Sequence, residues 1–160
     1  MTPVLKAAVF SDTHSSTALM MEAIKRYRPD VVIHLGDYER DTEVIRREFP
    51  DIALYNVCGN CDMVPSAPAE DIVPLGPVKA FITHGHLYGV DWDDYSRLGY
   101  AALERGAVIA MFGHTHEPLN DDFGSVKLLN PGSAGRGYQP TWAKVEVYEN
   151  GAVSTEIAAL

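Results

Sequence analysis

Six histidines and a handful of carboxylates carry most of the chemistry this 160-residue chain could perform. Asp12-Thr13-His14 puts a carboxylate and an imidazole in one tight polar turn, from which both can reach the same cation. Gly36-Asp37 adds a carboxylate whose two oxygens could bridge two cations, while the glycine lets backbone approach closely. His84-Gly85-His86 and His114-Thr115-His116 follow. In extended backbone, residues two apart project to the same side, so His114 and His116 could reach one metal or two adjacent ones. D-x-H alone is weak, since a lone histidine is more often a core or surface residue, and Gly-Asp is as often a simple turn; His114-x-His116 is the stronger signal. Together they mix hard carboxylate oxygens with imidazoles, a donor set that suits Mn²⁺, Fe, Co²⁺, Ni²⁺ or Zn²⁺ better than Ca²⁺.

Both cysteines lie in Asn56-Val57-Cys58-Gly59-Asn60-Cys61-Asp62, with the spacing of a redox or zinc pair. A thiol oxidoreductase would start a helix at the first cysteine, lowering its pKa. Here Asp62, Met63, Val64 and Pro65 lead into a proline-rich loop instead. A structural zinc site would want a second ligand pair, and His114-x-His116 in that role leaves Asp12, His14, Asp37 and His84 unexplained.

These side chains are far apart in sequence, so the elements before them must deliver them to one place. Residues 4–10 form an apolar strand that runs straight into Ser11-Asp12-Thr13-His14-Ser15. Leu19, Ala23, Ile24 and Tyr27 recur at helical spacing, with Ser15 or Ser16 as cap and Pro29 as stop. Residues 31–35 are a second strand, ending at Gly36-Asp37 and completing a β-α-β unit. A short charged helix over 42–49 and a strand over 52–57 lead to the cysteines. Residues 63–77 read as an ordered excursion, after which a strand over 78–82 ends in Thr83-His84-Gly85-His86. A helix over 93–105 stops at Gly106, and a strand over 108–112 delivers Gly113-His114-Thr115-His116. Residues 126–129, 142–148 and 153–157 read as antiparallel strands joined by Gly, Pro and Asn turns, one of them Asn130-Pro131-Gly132-Ser133. This alternation predicts an α/β architecture of two packed mixed sheets with helices outside. Its polar loops lie at the carboxyl ends of strands, where sites form in such folds.

The length fits one domain, residues 1–160, and the composition, 46% apolar and 22% charged, fits neither a disordered nor a fibrous chain. No segment approaches the roughly 18 apolar residues of a membrane span, and the start lacks a secretory pattern, so a cytoplasmic location is expected. A formal charge of −9 argues against stable nucleic-acid binding through phosphate neutralisation. Part of that acidity could serve bound cations.

The order D-x-H, GD, GN-x-D, HGH, GHTH, NPGS, running from Asp12 to Ser133, resembles the calcineurin-like metallophosphoesterase superfamily. The short length looks most like its compact bacterial and archaeal phosphodiesterases. The resemblance implies a four-layer α/β/β/α sandwich of two mixed β-sheets flanked by helices, and two divalent transition-metal ions, manganese foremost. One ion would take Asp12, His14 and His116, the other Asn60, His84 and His114, with Asp37 bridging. A hydroxide between the ions would attack the phosphorus of a small phosphoester in line. Asp62 would orient neighbouring groups, and His86 would contact substrate or leaving group; with Asn60 these complete the expected catalytic residues. Relatives also admit a homo-oligomer.

Many members carry histidine where this chain has Cys61, at the position thought to protonate the leaving group. A thiol near pKa 8.5 is a poor substitute for imidazolium, which favours phosphodiesters or activated phosphoesters over monoesters with poor leaving groups. The rival reading is a phosphoesterase fold turned protein-interaction module, as in a trafficking scaffold of the superfamily. Against it, every ligand position holds a competent ligand type.

Overall fold

In β1 (Leu5–Phe10) successive side chains alternate sides, yet Ala7, Ala8, Val9 and Phe10 are all fully buried, so both faces of the strand must be covered. The computed structural model, which describes residues 1–160, shows how. Ala7 and Val9 face a second sheet. Ala8 and Phe10 face Met20, Ala23 and Ile24 of α1 (Ala18–Tyr27) and Ile45 of α2 (Thr42–Glu48).

The first sheet has the order β10-β9-β1-β2-β3, with β2 (Val31–His34) and β3 (Ala53–Asn56) parallel to β1. β9 (Thr141–Val147) and β10 (Val153–Ala159) add antiparallel strands. The second sheet has the order β4-β5-β6-β8-β7, in which β5 (Val78–Thr83), β6 (Ile109–Met111) and β8 (Val126–Asn130) are mutually parallel. β4 (Glu70–Leu75) and β7 (Leu119–Phe123) are its antiparallel edges. Ala7, Val9, Ile33, Ile82, Met111 and Val145 belong to the apolar layer between the sheets. On the far face, Phe81, Ala110 and Leu128 pack against Leu98, Ala101 and Ala102 of α3 (Ser96–Glu104). The result is the expected four-layer α/β/β/α sandwich of two mixed sheets.

The differences from the sequence reading lie mostly at edges and helix starts. β4 and β7 were not foreseen. β4 contains Pro74, which an edge strand tolerates because its outer side needs no ladder hydrogen bond, and only Val73 and Leu75 supply a buried face. β7 presents Asn120, Asp121 and Asp122 to solvent, a polar edge that resists pairing with another chain and also hides the strand from an apolar-pattern search. The C-terminal strands are not all antiparallel, since β8 runs parallel to β6. α1 starts at Ala18 without a side-chain cap, because Ser15 sits at a left-handed φ of 70°; Met20, not the half-exposed Leu19, joins Ala23 and Ile24 in the core. α3 starts at Ser96, since Asp93 is left-handed; the Asp94 carboxylate accepts the Ser96 N–H and hydroxyl there.

Candidate metal centre

β1, β2 and β3 end side by side in one sheet and β5 and β6 in the other, and the loops leaving them meet. Each carboxylate at this meeting point divides its two oxygens. Asp12 Oδ2 accepts the Ser11 hydroxyl (2.5 Å) and the His114 N–H (3.1 Å). Its Oδ1 is buried without a well-aligned donor and is faced by Nε2 of His116 at 3.2 Å, His14 at 3.8 Å and His84 at 3.8 Å. Asp37 Oδ1 accepts the Cys61 N–H (2.9 Å), while Oδ2 faces His84 Nε2 at 3.4 Å and His14 Nε2 at 3.9 Å.

Two groups result, Asp12–His14–His116 and Asp12–Asp37–His84, each with ligand-type atoms within 4.8 Å of one another. The fully buried His84 holds Nδ1 2.7 Å from the Leu35 carbonyl oxygen, which puts the ring proton there and leaves the Nε2 lone pair facing the carboxylates. Nε2 of His14 and of His84 are buried without hydrogen-bond partners. Such orphaned atoms are costly in a dry site, and a cation among them satisfies all of them at once. The donor set therefore fits a divalent transition metal.

Asn60 and His114 lie beside the second group and bind each other, with His114 Nδ1 3.1 Å from Asn60 Oδ1. The His114 ring centre is 5.2 Å from that of His84, and the His86 ring is 5.5 Å from His84 with a buried, unpartnered Nδ1. The extended-chain argument for His114 and His116 fails: their φ angles are 70° and 64°, and Thr115 N–H donates back to the Gly113 carbonyl in a tight turn. The two rings reach different corners of the site because the chain turns between them. Of the nine non-glycine residues at positive φ, Asp12, His14, Asp37, His114 and His116 are candidate ligands, so backbone strain is concentrated here.

Asp62 takes no part in either group. Its carboxylate accepts four backbone N–H groups, from Gly59 (2.7 Å), Glu39 (2.9 Å), Asp37 and Tyr38 (both 3.1 Å), and so ties the Asp37 loop to the Asn60 turn. Asn130 and Ser133 are fasteners as well. Asn130 donates to the Gly113 carbonyl and the Thr115 hydroxyl, and Ser133 to the Asp12 carbonyl. Cys58 and Cys61 are free thiols, Cys58 half-buried and Cys61 exposed. Asp91 was missed in the sequence. It lies on the 3-10 turn Val90–Trp92, with Oδ2 3.0 Å from His114 Nε2, and no spacing rule marks a carboxylate brought in by such a turn.

Burial raises the Asp12 carboxyl, but the facing His116 ring, with His84 and Ser11, more than offsets this and holds it below its usual value. Asp37 balances in the same way, with His84 and Cys61 pulling it far down. Burial alone would lower His84, yet Asp37 and Asp12 leave it raised, and His116 is raised chiefly by the Asp12 carboxylate it faces. The two carboxylates thus draw positive charge into the site. The Cys61 thiol is pushed up by burial and by Asp37.

His34, the sixth histidine, stands apart. It is fully buried in β2 between the Thr13 hydroxyl (3.0 Å) and the Gly36 N–H (3.2 Å), and burial pushes it down to about 4. Between pH 6.5 and about 4 the unfolded chain binds a proton there that the folded chain refuses, so stability falls as pH falls. The cost amounts to about 3 kcal/mol across that window. His34→Gln should flatten that part of the pH–stability curve measured by urea unfolding. An unchanged slope would show that His34 does not resist protonation.

The largest concavity, about 620 Å³, lies elsewhere, between α1 and β9–β10 near Tyr27, Trp142 and Leu160, and holds none of this chemistry. No helix is long and apolar enough to cross a membrane.

Residues 5–150 match the calcineurin-like phosphoesterase superfamily domain. A probable metallophosphoesterase of Bacillus subtilis, YsnB, is 31% identical over 132 residues, covering 81% of this chain and 75% of that protein. A phosphodiesterase of Methanocaldococcus jannaschii is 26% identical over 148 residues, covering 80% and 83%. Among solved structures, a predicted phosphoesterase from Streptococcus pneumoniae superposes with TM-score 0.74 at 27% identity, covering 98% of each chain. A single mutant of Vps29 from Entamoeba histolytica gives 0.75 at 21%, covering 98% and 99%, a likeness of fold.

Proposed function

The chain belongs to the calcineurin-like phosphoesterase superfamily, and from that premise we propose that it is a metal-dependent phosphoric ester hydrolase acting, as one domain, on small phosphodiesters or activated phosphoesters. The observation that carries this reading is the buried Asp12 Oδ1, ringed by the Nε2 atoms of His14, His84 and His116 with no aligned donor. Two divalent cations, manganese foremost, would be held by Asp12, His14 and His116 on one side and Asn60, His84 and His114 on the other, with Asp37 between. When bound, they supply Lewis acidity towards water and the phosphoryl oxygens, so hydrolysis needs no covalent phospho-enzyme.

The chain's own groups do the rest. Asp62 and Cys61 N–H fix Asp37, and Leu35 fixes the His84 ring. His86 is held below its ordinary pKa by burial and by His84 and His114, so at neutral pH it is uncharged. Its Nδ1 is buried without a partner, and contact of the His86 ring with the ester is part of this proposal. The raised Cys61 thiol stays protonated at neutral pH but is too weak an acid to replace imidazolium, which favours activated leaving groups. The charge of −9 accords with a small substrate rather than nucleic acid.

The likeness to Vps29 supports a second reading, a protein-interaction module on the same fold. The filled ligand set weighs for the enzyme. Hydrolysis of bis(4-nitrophenyl) phosphate with Mn²⁺ or Ni²⁺ decides between them. Mn²⁺ at about a hundred times its Kd should also add roughly 2.7 kcal/mol of stability, a rise of about 5–10 °C in melting temperature that chelator reverses. Neither turnover nor a thermal shift with any divalent metal would leave the interaction module standing.

A further inference from the structure

A cavity of about 370 Å³ opens beside the candidate metal centre, lined by Tyr38 and Arg40 from one chain segment and by Cys61, Met63 and Val64 from another. Its lining touches the centre. The Tyr38 ring packs on His14 with centroids 5.0 Å apart, and Cys61, which also lines the cavity, donates its N–H to Asp37. We propose that this cavity is a subsite for an aromatic ester group of the substrate, held between the Tyr38–Arg40 pair and the Met63–Val64 wall. The inference rests on the phosphoesterase reading above and names its substrate class.

Four observations carry it. Met63 and Val64 are 89% and 91% exposed, adjacent apolar side chains at the edge of a polar centre where no packing within the chain requires them. The wall they form is built. Asp62 pins one end of it through four backbone N–H groups, and the buried Glu39 carboxylate pins the other by accepting the Ser66 N–H (2.5 Å) and hydroxyl (3.0 Å) and the Ala67 N–H (3.1 Å). Those bonds consume both carboxylates that line the cavity, so it offers no free anion to a cationic group. The Arg40 guanidinium lies 4.8 Å from the Tyr38 ring centre, which gives this part of the lining a planar π and cationic character suited to an arene carrying a phosphate anion. A thioether in the lining is itself a favourable contact for a ring, and Met adapts to rings of different shape. Tyr38 keeps a left-handed φ of 62°, the kind of backbone strain that persists where a side chain must be aimed.

Two measurements test the subsite. In protein carrying ¹³C-methyl methionine, phenylphosphonate should shift the Met63 methyl signal, while methylphosphonate and inorganic phosphate leave it in place. In steady-state assays, Met63→Ser/Val64→Ser should raise KM for bis(4-nitrophenyl) phosphate about tenfold, with kcat held and competitive inhibition by phosphate unchanged. Equal shifts by phenyl- and methylphosphonate, or an unaltered KM, overturn the subsite even if hydrolysis is robust. A Met63 signal that moves with protein concentration rather than with phenylphosphonate overturns it in favour of a chain-to-chain contact. If no diester is hydrolysed, the enzyme reading fails, and the phosphonate titration still decides whether the cavity takes arenes.

Discussion

Asp12→Asn should lower diester hydrolysis by roughly a thousandfold, the upper end of what a single lost electrostatic contact at an active site costs, and should abolish the thermal shift with Mn²⁺. The reason lies in how Asp12 divides its oxygens. The Ser11 hydroxyl and the His114 N–H both donate to Oδ2, so an amide at this position must keep its oxygen there. Its NH₂ group then replaces Oδ1, facing His116 at 3.2 Å and His14 and His84 at 3.8 Å. An amide NH₂ cannot bind a cation, and the negative charge shared by both ligand groups is gone. Because the hydrogen bonds to Oδ2 survive, the metal-free protein should fold normally. Calorimetric titration with Mn²⁺, beside kcat/KM, reads the effect; activity within threefold of the parent would remove Asp12 from the ligand set.

Gly36→Ala should act through the backbone instead. Gly36 has φ +99°, and a Cβ there would stand 2.6 Å from the Gly59 nitrogen and 2.9 Å from both the Cys58 carbonyl carbon and the Gly59 Cα. These are main-chain atoms that cannot swing aside. Gly59 is equally confined, since a Cβ on it would come within 2.1 Å of Asp37 Oδ1. Left-handed strain of about 1–2 kcal/mol and overpacking of about 1–3 kcal/mol together cost about 2–5 kcal/mol. For a chain of this size that lowers the melting temperature by about 5–20 °C and moves Asp37 and Asn60 apart. Gly124→Ala is the control: its φ is +58° but nothing lies within 4 Å, so it should cost only the strain. Equal losses in the two variants would refute the close-approach argument.

The sequence revealed the ligand types and their strand-end placement because both are local properties. An apolar run followed by a polar turn is visible at residues 4–15 and again at 108–116. What it concealed depends on contacts made at a distance. Asp62 looked like a supporting residue, but its four N–H partners belong to two separate loops. Asp91 lacks a motif altogether. The edge strands β4 and β7 escaped because a proline or a run of acids is acceptable where one side of a strand faces water. The histidine pair at 114 and 116 was assigned from extended geometry, whereas left-handed turns deliver it.

The seven candidate ligands divide four to three by origin. Asp12, His14, Asp37 and Asn60 follow strands of the first sheet, and His84, His114 and His116 follow strands of the second. The two sheets otherwise meet through an apolar layer, and such contact is greasy and non-directional. A cation shared across the seam would act as a rivet through two plates, fixing the angle and slide of one sheet on the other. Such a centre would couple the mechanical alignment of the whole sandwich to its state of loading.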